Sequence, residues 1–363
     1  MINILFISQY LNVGGTETFM MNILRNIDKS KFHIDFLVFS KESSSYSQEA
    51  EALGSTIYRL PDRRCGIKYY YRLNIFFRQK ANNYHVIHFC GGNVSSIAPV
   101  YFANKYHIPI RIIHSHSSSC DGFHNKVFHF INRLLLPKLS THFFACSTKA
   151  ASFFFRNHKC TIIKNGIDVR KYAYSKERRQ LFRSNYNIAK ETHVIGHVGR
   201  FETVKNHNMI LDIFRSYHIL YPDSLLVLVG SGTLFKEVKA KVNGMGLSDK
   251  VLFLGERNDI PEILCSMDCF LMPSLYEGLP FVLIEAQTSG VPCIVSDTIN
   301  QDVKIIPYLC FLSLKEHVNT WTETINEVIT DRKRVDAVRY VSNAGYDILS
   351  TVKYLESTYI SDI

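Results

Sequence analysis

The sequence predicts an α/β protein made of two doubly wound parallel-sheet domains. Ten short apolar runs alternate with stretches of helical character along the whole chain. Parallel strands need such crossover connections, so the alternation favours buried parallel sheets over hairpins. With 363 residues and 46% hydrophobic composition there is enough chain for two ordinary cores. An Asn165-Gly166 turn signal near the middle marks a boundary, giving domains of 1–170 and 171–345 with a terminal segment 346–363.

Taken in order, the apolar run Ile2 to Ser8 reads as the first strand, and Asn12-Val13-Gly14-Gly15-Thr16-Glu17-Thr18 leads from it into a helix expected over Phe19 to Ile27. Further strands are expected at Ile34 to Phe39, Val86 to Cys90, Ile110 to Ser115 and His142 to Cys146. Between them, Tyr69 to Lys80 interleaves cations with large rings, a pattern shared by a packed helix with solvated cations and an interfacial helix. The run Ile162 to Asp168 closes the first half, and the charged stretch Ser175 to Tyr186 opens the second. Strands then follow at Val194 to Val198, Leu225 to Val229, Val251 to Leu254, Cys269 to Met272 and Cys293 to Ser296. Helices are expected from about Asn208, from Pro280 to about Ser289, and over about Ser350 to Tyr359.

The chemistry concentrates after two of these strands. Glu277 falls in the loop after Cys269 to Met272, and Glu285 stands about one turn inside the next helix. At a rise of ~1.5 Å per residue the two carboxylates are separated by at most ~12 Å. Each can accept hydrogen bonds from a vicinal diol, while the helix-start N–H groups beside Gly278, Leu279, Pro280 and Phe281 suit an anion between two such rings. Upstream, Arg200 and Lys205 follow the strand Val194 to Val198, where Gly199 permits close backbone approach; two cations at such a tip can neutralise a pyrophosphate. The turn Gly14-Gly15 before a helix is a third anion cradle. Each feature also has a plain structural reading: a helix-start carboxylate, solvated loop cations, or a glycine turn without a ligand.

Together, these segments resemble the retaining glycosyltransferases of family 4. The window Glu277 to Glu285 is similar to the family's Glu-x7-Glu signature, Gly199-Arg200 through Lys205-Asn206 to its Gly-Arg-x4-Lys-Asn segment, and Gly14-Gly15-Thr16-Glu17 to its Gly-Gly-x-Glu turn. The resemblance implies the GT-B architecture, with an acceptor-side domain, a donor-binding domain and a last helix returning to the first domain. It implies transfer of a hexose or N-acetylhexosamine from a nucleotide-sugar, UDP before GDP, to a glycan hydroxyl. The acceptor it suggests is a polyprenyl-pyrophosphate-linked oligosaccharide in capsule, exopolysaccharide or O-antigen synthesis. Carried over residue by residue, Glu277 grips donor-sugar hydroxyls, Glu285 holds the ribose diol, and Arg200 and Lys205 bind the diphosphate. A histidine near the reacting centre corresponds to His114 or His116, of which His116, nearer the strand end, is favoured. The rival readings are a sugar-nucleotide epimerase of related fold, a basic nucleic-acid-binding protein, or an inactive glycosyltransferase-like subunit.

Charge is uneven. Residues 1–170 hold 21 Lys/Arg against 9 Asp/Glu, whereas the remainder is nearly balanced. A cationic first half can attract an anionic surface, which makes peripheral contact with the inner face of a plasma membrane an expectation. No 18-residue apolar run and no basic-then-apolar leader is present, so a cytoplasmic location is expected. Nine cysteines without a Cys-x-x-Cys pair read as reduced, buried thiols rather than a zinc site. No Asp-x-Asp triplet offers to chelate a metal with the donor, so neither metal nor cofactor is expected.

Overall fold

A computed structural model describes the chain apart from residues 13, 118, 119, 121, 157, 278, 332, 333, 335, 362 and 363. It divides into two compact units, one comprising 1–166 with 345–363 and the other 167–344.

Among the described residues, the first unit holds a seven-stranded sheet in the order β3-β2-β1-β4-β5-β6-β7. Its strands are β1 (Ile2–Ser8), β2 (Phe32–Val38), β3 (Ile57–Arg59), β4 (Val86–Gly91), β5 (Ile110–Ser115), β6 (His142–Ala145) and β7 (Thr161–Ile162). Every pairing is parallel. The helix Ile348–Ser361 belongs to this unit, packs on the helix Gly15–Asn26 and sends the Tyr359 hydroxyl to His88 Nδ1 at 2.8 Å. Gly166 lets that helix come close, since a Cβ there would lie 2.8 Å from the Ile348 Cα.

The second unit holds a six-stranded sheet in the order β10-β9-β8-β11-β12-β13. These are β8 (His193–Val198), β9 (Ser224–Val229), β10 (Val251–Gly255), β11 (Cys269–Met272), β12 (Cys293–Ser296) and β13 (Leu309–Leu312), again all parallel. Successive side chains feed two cores. Ile195, Leu226, Leu228 and Leu271 pack with Phe214 and Trp321, whereas Val194, Val227, Val229 and Phe270 pack with Leu283 and Ile263. Both faces are therefore covered by helices, as a parallel sheet requires. The helix Lys176–Asn185 is fixed by Arg179 and Arg183, one turn apart, each 2.6 Å from a different oxygen of Asp268. Asp268 also accepts the Val194 N–H at 2.8 Å, which clamps the start of β11 to the start of β8.

Several boundaries differ from expectation. The first helix begins at Gly15, not Phe19, because the glycine turn is itself the helix start. Pro280 is not the first helical residue: it takes an extended backbone (φ −74°, ψ 111°) at the cap, and the helix is Phe281–Thr288. Strands β3 and β13 carry no strong sequence signal, being short and at sheet edges where no side chain is forced to alternate. In the helix Ile67–Lys80, Tyr69, Leu73, Phe76 and Phe77 are buried while Tyr70 and Tyr71 are exposed, so its rings are divided between core and surface.

Candidate active site

In the second unit the chain runs outward from β8 in two directions, to β9 on one side and to β11 on the other. Loops that leave neighbouring strands on opposite sides of such a switch point diverge, leaving a crevice beyond the strand ends. The segments after β8 and β11 both arise here.

The loop after β8 is held tightly. Gly230, at φ +133°, would bring a Cβ within 2.2 Å of the Gly199 carbonyl oxygen, so only glycine lets the β9 end pass this close. Gly199 in turn leaves room for the Lys205 stem, whose Cδ would lie 3.3 Å from a Cβ. Asn206 adopts a left-handed conformation (φ 55°, ψ 48°), turns the chain into the helix His207–Leu220 and donates from Nδ2 to the Pro273 carbonyl at 3.1 Å. The Leu275 N–H donates to the Val204 carbonyl at 2.8 Å. These two bonds fasten the two loops to each other.

Their functional side chains meet as a result. Lys205 Nζ lies 2.5 Å from Glu277 Oε1, with both side chains largely buried. Arg200 is exposed, and among the described residues it makes no ion pair. Gly278 lies outside the described residues; Leu279 and Phe281 are partly buried and Pro280 is buried. The Leu283 N–H is taken by the Pro280 carbonyl at 3.0 Å, while the N–H groups of Phe281 and Val282, at the first two positions, have no acceptor within the helix. Glu285 stands in the fifth position of that helix and is partly buried. Burial pushes this carboxyl up to about 7, against the opposing pull of the Tyr172 hydroxyl and the Lys171 cation. Tyr172 and Lys171 sit on the short helix Val169–Tyr172, which packs on the Glu285 helix. No local sequence signal pointed to them, because a partner more than a hundred residues away is a tertiary fact. Beside Lys205, His207 is buried and stacked on Phe201, and burial together with the Lys205 charge lowers it to about 4, so this imidazole is neutral near pH 7.

In the first unit, Gly14 caps the first helix and Gly15 is its first residue. The reason for glycine here is space, not a left-handed backbone: Gly14 is extended, and a Cβ would meet Glu17 Oε2 at 2.6 Å. Glu17 is the functional-looking group left off the sequence-based set; burial raises its carboxyl, opposed by its own backbone N–H and the Ser8 hydroxyl. His114 and His116 differ sharply. His114 is fully buried within β5, its Nδ1 3.2 Å from His88 Nε2. His116 follows the strand end, its N–H bound to the Gly91 carbonyl at 3.0 Å and its ring 4.9 Å from that of Phe19. Both ring nitrogens of His116 are enclosed and have no hydrogen-bond partner among the described residues. Burial lowers it to about 3, with the Asn165 side chain opposing, so His116 is a neutral donor and acceptor at working pH. His88, Cys90 and His114 also bring ligand-type atoms within 4.8 Å of one another in this unit.

Two family descriptions match the chain: "Glycosyltransferase Family 4" over residues 13–171 and "Glycosyl transferases group 1" over 178–345. The putative glycosyltransferase EpsF of Bacillus subtilis is 32% identical over 98% of this chain and 96% of its own length. The chain belongs to glycosyltransferase family 4. This assignment makes the protein a glycosyltransferase of GT-B fold and sets aside the epimerase and nucleic-acid-binding readings. Over 38% of the chain, the glycosyltransferase is 38% identical to an Escherichia coli enzyme named UDP-Gal:alpha-D-GlcNAc-diphosphoundecaprenol alpha-1,3-galactosyltransferase, covering 37% of that enzyme. Among solved structures, Anabaena Alr3699/HepE in complex with UDP has the same fold, with a TM-score of 0.80 at 19% identity, covering 98% of this chain and 99% of that one.

Proposed function

We propose that this glycosyltransferase moves a hexose or N-acetylhexosamine from a UDP-sugar, with GDP-sugar as the second choice, to a hydroxyl of a polyprenyl-pyrophosphate-linked oligosaccharide, retaining the anomeric configuration. The carrying observation is the meeting of Lys205 and Glu277 at the β8/β11 switch point, on loops that also carry the exposed Arg200 and lead into the helix of Glu285. The E. coli relative, whose name gives a UDP-sugar and a diphosphoundecaprenol acceptor, supports the choice of both substrates. Surface polysaccharide assembly at the inner membrane face is the setting that such an acceptor implies.

Each residue has a part that its chemistry allows. Lys205 carries three N–H donors, so it can keep Glu277 in place with one and give the others to the diphosphate. Arg200 adds a forked donor for the same oxygens. Glu277, oriented by Lys205, accepts from sugar hydroxyls, and Glu285 accepts from the ribose diol once ionised. The acceptor hydroxyl attacks the anomeric carbon from the side of the leaving group; the bond from that carbon to the β-phosphate oxygen breaks, and UDP departs with the added negative charge and the hydroxyl proton. Arg200, Lys205 and the N–H groups at the start of the Phe281–Thr288 helix stabilise that charge, the term expected to dominate. His116, neutral and with enclosed ring nitrogens, is suited to hold a sugar hydroxyl, not to shuttle protons.

Thermal unfolding with UDP, GDP, ADP and CMP tests the donor half. UDP at ~100 times its dissociation constant should add ~2.7 kcal/mol to the wild type and far less to Glu285→Ala. Equal shifts in the two proteins would remove Glu285 from the nucleotide site. Transfer to a lipid-linked oligosaccharide, with the product anomer read by NMR, tests the rest; an inverted product would refute the retaining step.

A further inference from the structure

The helix Phe123–Asn132 is turned inside out. Its buried residue is a histidine, His129, while Phe123 (77% exposed), Phe128, Phe130 and Ile131 lie on the surface, followed by Leu134 (63%) and Leu135. The helix is held by polar groups instead. His129 Nδ1 accepts the Val94 N–H at 3.2 Å, which leaves Nε2 to donate to the Phe153 carbonyl at 3.1 Å. Asn132 Nδ2 donates to the Val94 carbonyl at 2.9 Å, and Arg63 donates to Asn125 Oδ1 at 2.7 Å. Residues 125, 129 and 132 share one helix face, so the polar stripe points inward and the apolar stripe outward. A helix facing water on its outer side would be expected to have the reverse arrangement.

The apolar surface continues onto a second element. A groove of about 500 Å³ is lined by Tyr70, Tyr101, Phe128 and Leu135, which joins this helix to the exposed Tyr70 of Ile67–Lys80. Ile67, at the start of that helix, is 88% exposed. Cations surround the patch: Lys68 and Arg72 on one helix, Lys126 and Lys138 on and beside the other, all exposed. From Arg63 to Ile167 the sequence has 15 Lys/Arg and a single acidic residue, Asp121. A partner protein of ordinary mixed charge gains nothing from so one-sided a field, whereas a sheet of anionic headgroups over acyl chains matches both its sign and its apolar centre.

We propose that this face, formed by the outer side of Phe123–Leu135 with the exposed start of Ile67–Lys80, docks the enzyme on an anionic lipid bilayer. The proposal deepens the membrane-facing part of the reading above but does not depend on the donor site. It adds a second element to the helix whose sequence pattern was shared by a packed and an interfacial reading.

Vesicle sedimentation tests it, with phosphatidylglycerol/phosphatidylcholine vesicles against pure phosphatidylcholine at low and high salt. The wild type should pellet with the anionic vesicles at low salt and be released by salt or by neutral lipid. The triple variant Phe123→Ser/Ile131→Ser/Leu134→Ser, and separately Lys126→Glu/Lys138→Glu, should each weaken partitioning by about tenfold or more. Both variants should keep the UDP-dependent thermal shift, a readout that reports folding and the donor site independently of lipid. The idea is overturned if the wild type ignores anionic vesicles, if it binds neutral ones equally, or if either variant partitions like the wild type. It is equally overturned if the wild type proves to be a dimer that the serine variant dissociates and that does not bind vesicles, since a second copy would then be the occupant.

Discussion

Replacing Glu285 by Gln should make the unliganded enzyme more stable, not less, and only above acidic pH. The carboxyl is pushed from its ordinary 4.5 to about 7 by burial, and that difference corresponds to ~3 kcal/mol in favour of the neutral form. A folded-state value raised above the unfolded one contributes stability that is complete below about 4.5 and declines as pH rises toward about 7, because the unfolded chain releases its proton first. Above about 7 the folded protein carries a partly buried carboxylate whose charge is only partly offset by Tyr172 and Lys171. Glutamine keeps the shape without the charge. Chemical denaturation from pH 4.5 to pH 8 should therefore show wild type and Glu285→Gln nearly equal at the acid end and the variant ahead by ~3 kcal/mol at the other. UDP at ~100 times its dissociation constant should close most of that gap near pH 8, since the ribose diol supplies the donors that the carboxylate lacks. A gap independent of pH, or a variant less stable at pH 8, would refute the reasoning; full UDP affinity in the variant would refute the assigned role.

Four other substitutions probe the rest of the site and its frame. Arg200→Ala should lower turnover by ~3 kcal/mol, about a hundredfold, and leave the melting temperature unchanged because the side chain is exposed; near-normal turnover removes it from the mechanism. A double-mutant cycle on Lys205→Met and Glu277→Gln should give a coupling of ~1–3 kcal/mol in stability, given the 2.5 Å contact between largely buried groups, and a coupling near zero would mean the pair does not orient Glu277. Burial alone would raise Asp268, but Arg179 and Arg183 outweigh it and hold the carboxylate below its usual range, so Asp268→Asn should cost ~3 kcal/mol in unfolding experiments; a neutral substitution would show that the clamp between β8 and β11 is dispensable. Transfer in excess chelator should proceed at the untreated rate, and a complete loss restored by added metal would contradict a leaving group stabilised by Arg200 and Lys205.

The sequence by itself determined the alternation of strands and helices, the glycines at the loop tips, and the chemical types after β8 and β11, because these depend on local pattern and spacing. The strands Val86–Gly91, Ile110–Ser115 and Cys269–Met272 were legible as apolar runs since both faces of a parallel sheet are buried. The edge strands Ile57–Arg59 and Leu309–Leu312 were not, as nothing local forces their pattern. Tertiary structure alone decided that Lys205 grips Glu277 across 72 residues, that Tyr172 and Lys171 face Glu285, and that His114 is interior while His116 lies past the strand end with the Asn165 side chain against it. It alone decided which rings are core: Phe76 and Phe77 turn inward on one helix, while Phe128 and Phe130 turn outward on another of similar composition. Hydrophobic periodicity shows that a helix has an apolar face; which way that face points is set by what the rest of the chain packs against it.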